Sequence, residues 1–173
     1  MNYQWYPGHM TKAKRMMEEN IKLIDLVIEI VDARIPLSSR NPDIDSLAVN
    51  KSRMILLNKC DLASDKVNDE WVRYFTDRGF IVLKINAKNG TGIRNVNPMI
   101  LEVRCMVVGI PNVGKSTFIN AIVGKACTKT GNKPGVTKGK QWIALSKQIE
   151  LLDTPGILWP KFDDEKIGMN LAF

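Results

Sequence analysis

The sequence predicts an α/β fold, a mostly parallel six-stranded sheet flanked by helices. Short apolar runs of four to six residues alternate with segments of helical periodicity along the chain, the pattern of parallel strands joined by crossover helices. One run, "CMVVG" (105–109), leads through a glycine-bracketed loop into "KSTFINAIVG", a strand–loop–helix order that suits phosphate binding. The 173 residues are 45% hydrophobic and 25% charged, enough for a single domain with its own core.

The first expected helix spans Thr11–Ile24 and closes an N-terminal segment of residues 1–24. The strand "LVIEIV" (26–31) follows, then "DARIPLSSRNP" (32–42). That stretch has two readings: a plain strand-to-helix loop with Asp43 capping, or a surface that turns Arg34 and Arg40 towards RNA. Next come the strand "MILLN" (54–58) and a helix over Asp65–Arg78. Trp71, Tyr74 and Phe75 fall at i, i+3, i+4 in that helix and are expected to face the core. After the strand "IVLKI" (81–85), only "GTGIRNVNPMILEVR", with Pro98 in its middle, precedes the strand "CMVVG". A parallel crossover needs a dozen residues or more, mostly helical, so a segment is expected to be missing near Met99–Glu102. A helix over Lys115–Val123 comes next. "WIAL" (142–145) and "IELLD" (149–153), separated by "SKQ", read as a hairpin that makes one edge antiparallel.

The stretch "GIPNVGKS" (109–116) fits G-x-x-x-x-G-K-[ST]. Gly109 and Gly114 permit a tight turn whose backbone N–H groups point inward at phosphate oxygens. Pro111, Asn112 and Val113 form the loop, and Thr117 continues it into the helix. Lys115 reaches the β- and γ-phosphates, the Ser116 hydroxyl ligates Mg²⁺, and the helix N-terminus adds positive potential. The plain alternative is a glycine turn carrying a solvated lysine.

"NKCD" (58–61) ends the strand "MILL", where ligands bind in open α/β sheets. The Asp61 carboxylate can accept from guanine N1–H and the 2-amino group, a pair of donors that adenine lacks. Asn58 can bridge base and phosphate loop, and the Lys59 stem can lie along the base face. "NAK" (Asn86, Ala87, Lys88) ends the next strand, and the Ala87 N–H is expected to donate to guanine O6. Either segment alone is weak evidence, since Asn-Lys-x-Asp is also a good turn and helix cap.

"DTPG" (153–156) ends the strand "IELL". Asp153 is placed to hold Mg²⁺ through water, and the Gly156 N–H to reach the γ-phosphate. Thr137, in "KPGVTKGK", is expected to sense Mg²⁺ and the γ-phosphate from a loop ordered by nucleotide.

The elements run in the order Asn58–Asp61, Asn86–Lys88, phosphate loop, Thr137, Asp153–Gly156. A conventional guanine-nucleotide domain starts at the phosphate loop, so the expected fold is a P-loop NTPase G domain with circularly permuted order. "WYPGHMTKA", "VDARIPLSSRNP", "LLNKCD", "GIPNVGKST", "KPGVT" and "LLDTPGILWPK" together resemble the YlqF/RbgA family of circularly permuted GTPases over nearly the whole chain. The resemblance implies a single G domain over 1–173 that binds GTP and GDP, hydrolyses GTP and acts in late assembly of the large ribosomal subunit. The partners it implies are the subunit precursor and its rRNA. Family members continue into a C-terminal helical domain, and this sequence stops at "GMNLAF", so that domain is expected to be absent. Two other readings stay open: a nucleotide-controlled RNA-binding module in which hydrolysis serves only release, and a GTPase of tRNA modification.

The net charge of +7 favours an acidic partner, nucleic acid first. No apolar run is long enough to span a bilayer. Cys60, Cys105 and Cys127 lack metal-ligand spacing and read as reduced thiols, which together with the absence of a secretory signal points to the cytoplasm. A monomer is expected.

Ile157 stands where many GTPases carry a water-positioning glutamine. The single histidine, His9, has the pKa range for proton handling, and the family resemblance assigns catalysis to its motif. It is expected to enter the site when a ribosomal partner orders the N-terminal segment, against the alternative of a helix-start residue without chemistry. Asn112 is expected to help hold K⁺ beside the phosphates, as in similar GTPases, or else only to stabilise the loop turn.

Overall fold

The computed structural model describes residues 8–124, 141–144 and 150–153. In chain order its elements are α1 (Gly8–Asn20), β1 (Leu26–Asp32), α2 (Asp43–Leu47), β2 (Ser52–Asn58), α3 (Asp65–Thr76), β3 (Ile81–Lys84), β4 (Arg104–Val108), α4 (Lys115–Val123), β5 (Gln141–Ala144) and β6 (Glu150–Asp153). Six strands form one sheet in the order β3-β2-β1-β4-β6-β5. All pairings are parallel except β5 with β6, so the expected antiparallel edge is present. Among the described residues no helix is long and apolar enough to cross a membrane.

β1 lies inside the sheet and is buried along its whole length, which is why its sequence is a near-continuous apolar run rather than an alternating one. Leu26, Ile28 and Ile30 point to one face, where α4 packs through Phe118 and Ile119. Val27 and Val31 point to the other. There α1 and α2 supply Met17 and Ile44, and α3 supplies Phe75. The aromatic stripe of α3 is packing as expected: Phe75 is fully buried, with Trp71 and Tyr74 against the same cluster. Ser64 caps that helix by accepting from the Val67 N–H at 3.3 Å.

The connection from β3 to β4 is short, and its backbone runs unbroken from Val96 to Arg104. Instead of a long helix, two 3₁₀ turns, Ile93–Asn95 and Asn97–Met99, carry the chain across. Ile93, Val96 and Ile100 sit at helical spacing and bury themselves against the α4 face. Pro98 falls in the first turn of the second piece, where its missing N–H costs no hydrogen bond.

The 32–42 stretch also differs. It leads into the short α2, but Asp43 is not its cap. Pro42 holds the cap position, and the Asn41 Oδ1 accepts from the Asp43 N–H at 3.0 Å. Arg40 does not face outward to RNA. Its side chain is 14% exposed and pairs with Glu29, itself 2% exposed, at 2.9 Å. Arg53 joins Glu29 at 3.3 Å, and both arginines reach Asp45. Both guanidinium groups also lie over the Phe80 ring, at 5.1 and 4.9 Å. Burial pushes the Glu29 carboxyl up, and the two arginines oppose that shift. Arg40→Ala leaves a buried carboxylate half-compensated and is expected to cost about 3–5 kcal/mol of folding stability in urea titrations. A loss below about 1 kcal/mol would show that this cluster does not anchor the loop.

Candidate functional site

Parallel strands end together, so the loops after β1, β2, β3 and β4 open on one edge of the sheet. The register also sets Asp153, the last residue of β6, beside Val107 of β4. Asp153 therefore reaches the same edge by its backbone position.

After β4 the chain makes its tight turn. An added Cβ at Gly109 would meet Val113 at 2.9 Å and the Ile30 carbonyl at 3.0 Å, so a side chain here would crowd the loop against β1. Asn112 takes positive φ, 67°, which asparagine tolerates better than most residues. Gly114, at φ 96°, is the N-cap of α4. Lys115 opens that helix and is buried, with Ser116 and Thr117 behind it in the first turn. Pro111 is half-buried and Val113 fully buried within the loop.

Asn58 ends β2, and its side-chain amide joins two other loops. The Nδ2 donates to the Val113 carbonyl at 2.7 Å, and the Oδ1 accepts from the Ala87 N–H at 3.0 Å. This buried amide thus fastens the phosphate-loop candidate to the 86–88 segment. It also explains Gly114, since a Cβ there would sit 2.3 Å from Asn58 Nδ2.

Lys59 follows in the left-handed region at φ 60°. That turn sends its ammonium back to the Asn112 carbonyl, at 2.9 Å, and to Asp32, at 3.2 Å. Asp61 lies exposed in the 3₁₀ turn Cys60–Leu62. Asn68, buried on α3, steadies that turn by donating to the Cys60 carbonyl at 2.9 Å.

The 86–88 segment is held by hydrogen bonds within the protein. The Ala87 N–H, read from sequence as a donor for a base carbonyl, is given to Asn58. The Lys88 N–H is likewise given to the Asn86 Oδ1, at 3.1 Å. Both backbone donors are used within the protein.

Sequence reading missed Asp32 and Asn68. Asp32 ends β1 with a 7% exposed side chain, and it accepts from Arg34 and Lys59. Burial works against its charged form, but the Arg34 guanidinium and backbone N–H, with Lys59, hold the carboxyl below its ordinary range. An acid closing an apolar strand was the available signal. His9 falls within the backbone of α1, and its side chain lies outside the described residues, as do Thr137 and Gly156.

Known proteins bear on this arrangement. Residues 104–173 match the family described as "50S ribosome-binding GTPase". Ribosome biogenesis GTPase A of Priestia megaterium is 49% identical over 99% of this chain and 66% of its own length. Its counterpart in Bacillus licheniformis is 48% identical over 99% of this chain and 67% of its own. The crystal structure of GNP-bound YlqF from T. maritima superposes with a TM-score of 0.72 at 33% identity, covering 92% of this chain and 64% of that one. The chain spans about two thirds of the length of these relatives. The two alignments run over 191 and 190 positions against the chain's 173 residues, so both relatives carry residues within the matched span that this chain lacks.

Proposed function

This chain belongs to the ribosome biogenesis GTPase A family, and from that premise we propose that it binds guanine nucleotides and hydrolyses GTP during late assembly of the large ribosomal subunit. The observation that carries the reading is the Asn58 amide, bonded at once to the phosphate-loop candidate and to the 86–88 segment. A base site and a phosphate site need such a link to act on one ligand.

In this proposal the G domain is circularly permuted and covers 1–173. The base-reading loops come first, the phosphate loop follows, and Thr137 and Asp153–Gly156 come last. The sheet order supports it, because strands distant in sequence still bring their loops to one edge. Asp61 accepts from guanine N1–H and the 2-amino group. The Ala87 N–H, already on Asn58, is shared with base O6 in a three-centre bond. The Lys59 stem lies along the base while its ammonium stays on the Asn112 carbonyl.

The phosphate end has a donor set that fits a nucleotide. Lys115 is buried at a helix N-terminus behind a glycine turn, where anionic oxygens are favoured. Lys115 stabilises charge that develops on the transferred phosphoryl group. A hydroxyl at Ser116 and a carboxylate on Asp153, whose backbone ends β6 at this edge, are hard oxygen donors suited to Mg²⁺. Thr137 is the proposed third contributor, and Gly156 the proposed γ-phosphate donor. Bound Mg²⁺ supplies charge neutralisation on the phosphates. The exposed side-chain oxygen of Asn112 suits K⁺. With Ile157 in place of a polar residue, His9 is the proposed proton-handling group, brought in by the ribosomal partner. A cytoplasmic monomer acting on the subunit precursor and its rRNA completes the reading.

The test is steady-state GTP hydrolysis in K⁺, with and without purified large ribosomal subunits, on the full-length protein. Stimulation by the large subunit, lost in His9→Ala with GTP still bound, is the expected result. Bound GTP without stimulation would favour a nucleotide-controlled binding module instead. Equal rates in K⁺ and Na⁺ would remove the potassium site.

A further inference from the structure

We propose that Asp32 is a positioning residue for guanine-nucleotide binding, its buried carboxylate holding Lys59 against the phosphate loop. The inference rests on the nucleotide-binding reading above and adds to it a residue outside the nucleotide-binding segments themselves. Asp32 closes β1, and its N–H donates to the Ser39 Oγ at 2.9 Å, so its backbone is fixed on both sides. Its Oδ1 accepts from the Arg34 N–H and Nε, both at 3.0 Å. Its Oδ2 accepts from the Arg34 guanidinium at 2.7 Å and from the Lys59 Nζ at 3.2 Å. Arg34 therefore locks the carboxylate in one rotamer, and Lys59 takes the remaining charge-assisted bond.

Lys59 needs such a partner. Its backbone sits in the left-handed region, which a non-glycine residue occupies at a cost. Its stem has four rotatable bonds, and without Asp32 its ammonium keeps one neutral contact among the described residues, the Asn112 carbonyl. Freed from the carboxylate, the ammonium is drawn into water, and the stem no longer lies where the base stacks. Asp32 touches neither base nor phosphate, so its effect on the ligand passes through Lys59. The lowered pKa of its carboxyl agrees with a group kept ionised for this purpose.

The test measures binding of a fluorescent GDP analogue to Asp32→Ala, Asp32→Asn, Lys59→Ala and the Asp32→Ala/Lys59→Ala pair. Asp32→Ala is expected to weaken binding about tenfold or more. Asp32→Asn, whose amide oxygen still accepts from the ammonium but whose NH2 faces the Arg34 donors, should recover part of that loss. The double variant should bind no worse than Lys59→Ala, because both changes remove one interaction. Additive losses would make Asp32 merely structural and overturn the inference. So would undiminished binding in Asp32→Ala alongside weakened binding in Lys59→Ala. Undiminished binding in Lys59→Ala would overturn the inference and leave the nucleotide-binding reading standing, whereas no binding by the unsubstituted protein would bring down both.

Discussion

Gly114→Ala is expected to weaken guanine-nucleotide binding severely. The new Cβ would lie 2.3 Å from Asn58 Nδ2, at a backbone position with φ 96°. A flexible side chain could step aside, but this amide cannot. Its nitrogen is held by the Val113 carbonyl at 2.7 Å and its oxygen by the Ala87 N–H at 3.0 Å, all within a buried setting. Moving it breaks two buried hydrogen bonds, each of which costs about 1–3 kcal/mol when a group is left unpaired. Left-handed strain adds about 1–2 kcal/mol for a residue with a Cβ. Together these suffice for an affinity loss of roughly 100-fold or more. Calorimetric titration with GDP checks it. The same substitution in an Asn58→Ala background should cost much less, because the clash is gone. Equal losses in both backgrounds would show that the two residues do not oppose each other.

Asp61→Asn is expected to lower GDP affinity by about 100-fold or more while leaving the unfolding midpoint of the nucleotide-free protein unchanged. The first part follows from chemistry: an amide offers one donor where guanine presents two donors of its own, so a buried pair is left unmet. The second follows from structure, since Asp61 is exposed on its 3₁₀ turn and that turn is steadied by Asn68 rather than by the carboxylate. Xanthine carries a carbonyl in place of the 2-amino group, so a xanthosine nucleotide should bind the variant better than GDP does. Unchanged GDP affinity would take Asp61 out of the base site.

Long apolar strands made much of this fold legible. β1, β2 and β4 are buried from two faces, and such strands read as unbroken runs that no turn residue interrupts. α3 announced itself through the spacing of Trp71, Tyr74 and Phe75, and α4 through the glycine-bracketed loop that leads into Lys115. α2 was legible only as the helix that a plain strand-to-helix loop at 32–42 would lead into, because "DIDSL" is too short to show a period of its own. The two 3₁₀ turns of the crossover were not legible for a related reason: their three buried residues have helical spacing, but Pro98 argues against a helix and no rule in sequence calls for two short turns. Of the two readings left open for 32–42, the one that turns Arg40 towards RNA fails because Glu29 draws its side chain inward. The contrary signal was Glu29, an acid within a buried strand, which demands a cationic partner. In the site, motif spacing located Asn58, Lys59 and Lys115. It could not show that Asn58 faces inward to Ala87, since that depends on how β2 and β3 stagger.

The bridging amide has a consequence for how the polypeptide comes off the translation machinery. Asn58 and Val113 are 55 positions apart, and Lys59 and Asn112 are 53 apart. The half that carries Asn58 and Asp61 is synthesised first and waits for β4 and its glycine turn to emerge. Until then the amide has no Val113 to hold and no pocket closes around a base. These are contacts of high sequence separation, which form late because loop closure precedes them. Acquisition of nucleotide by a nascent chain thus reports that the two halves have docked, not merely that each has formed.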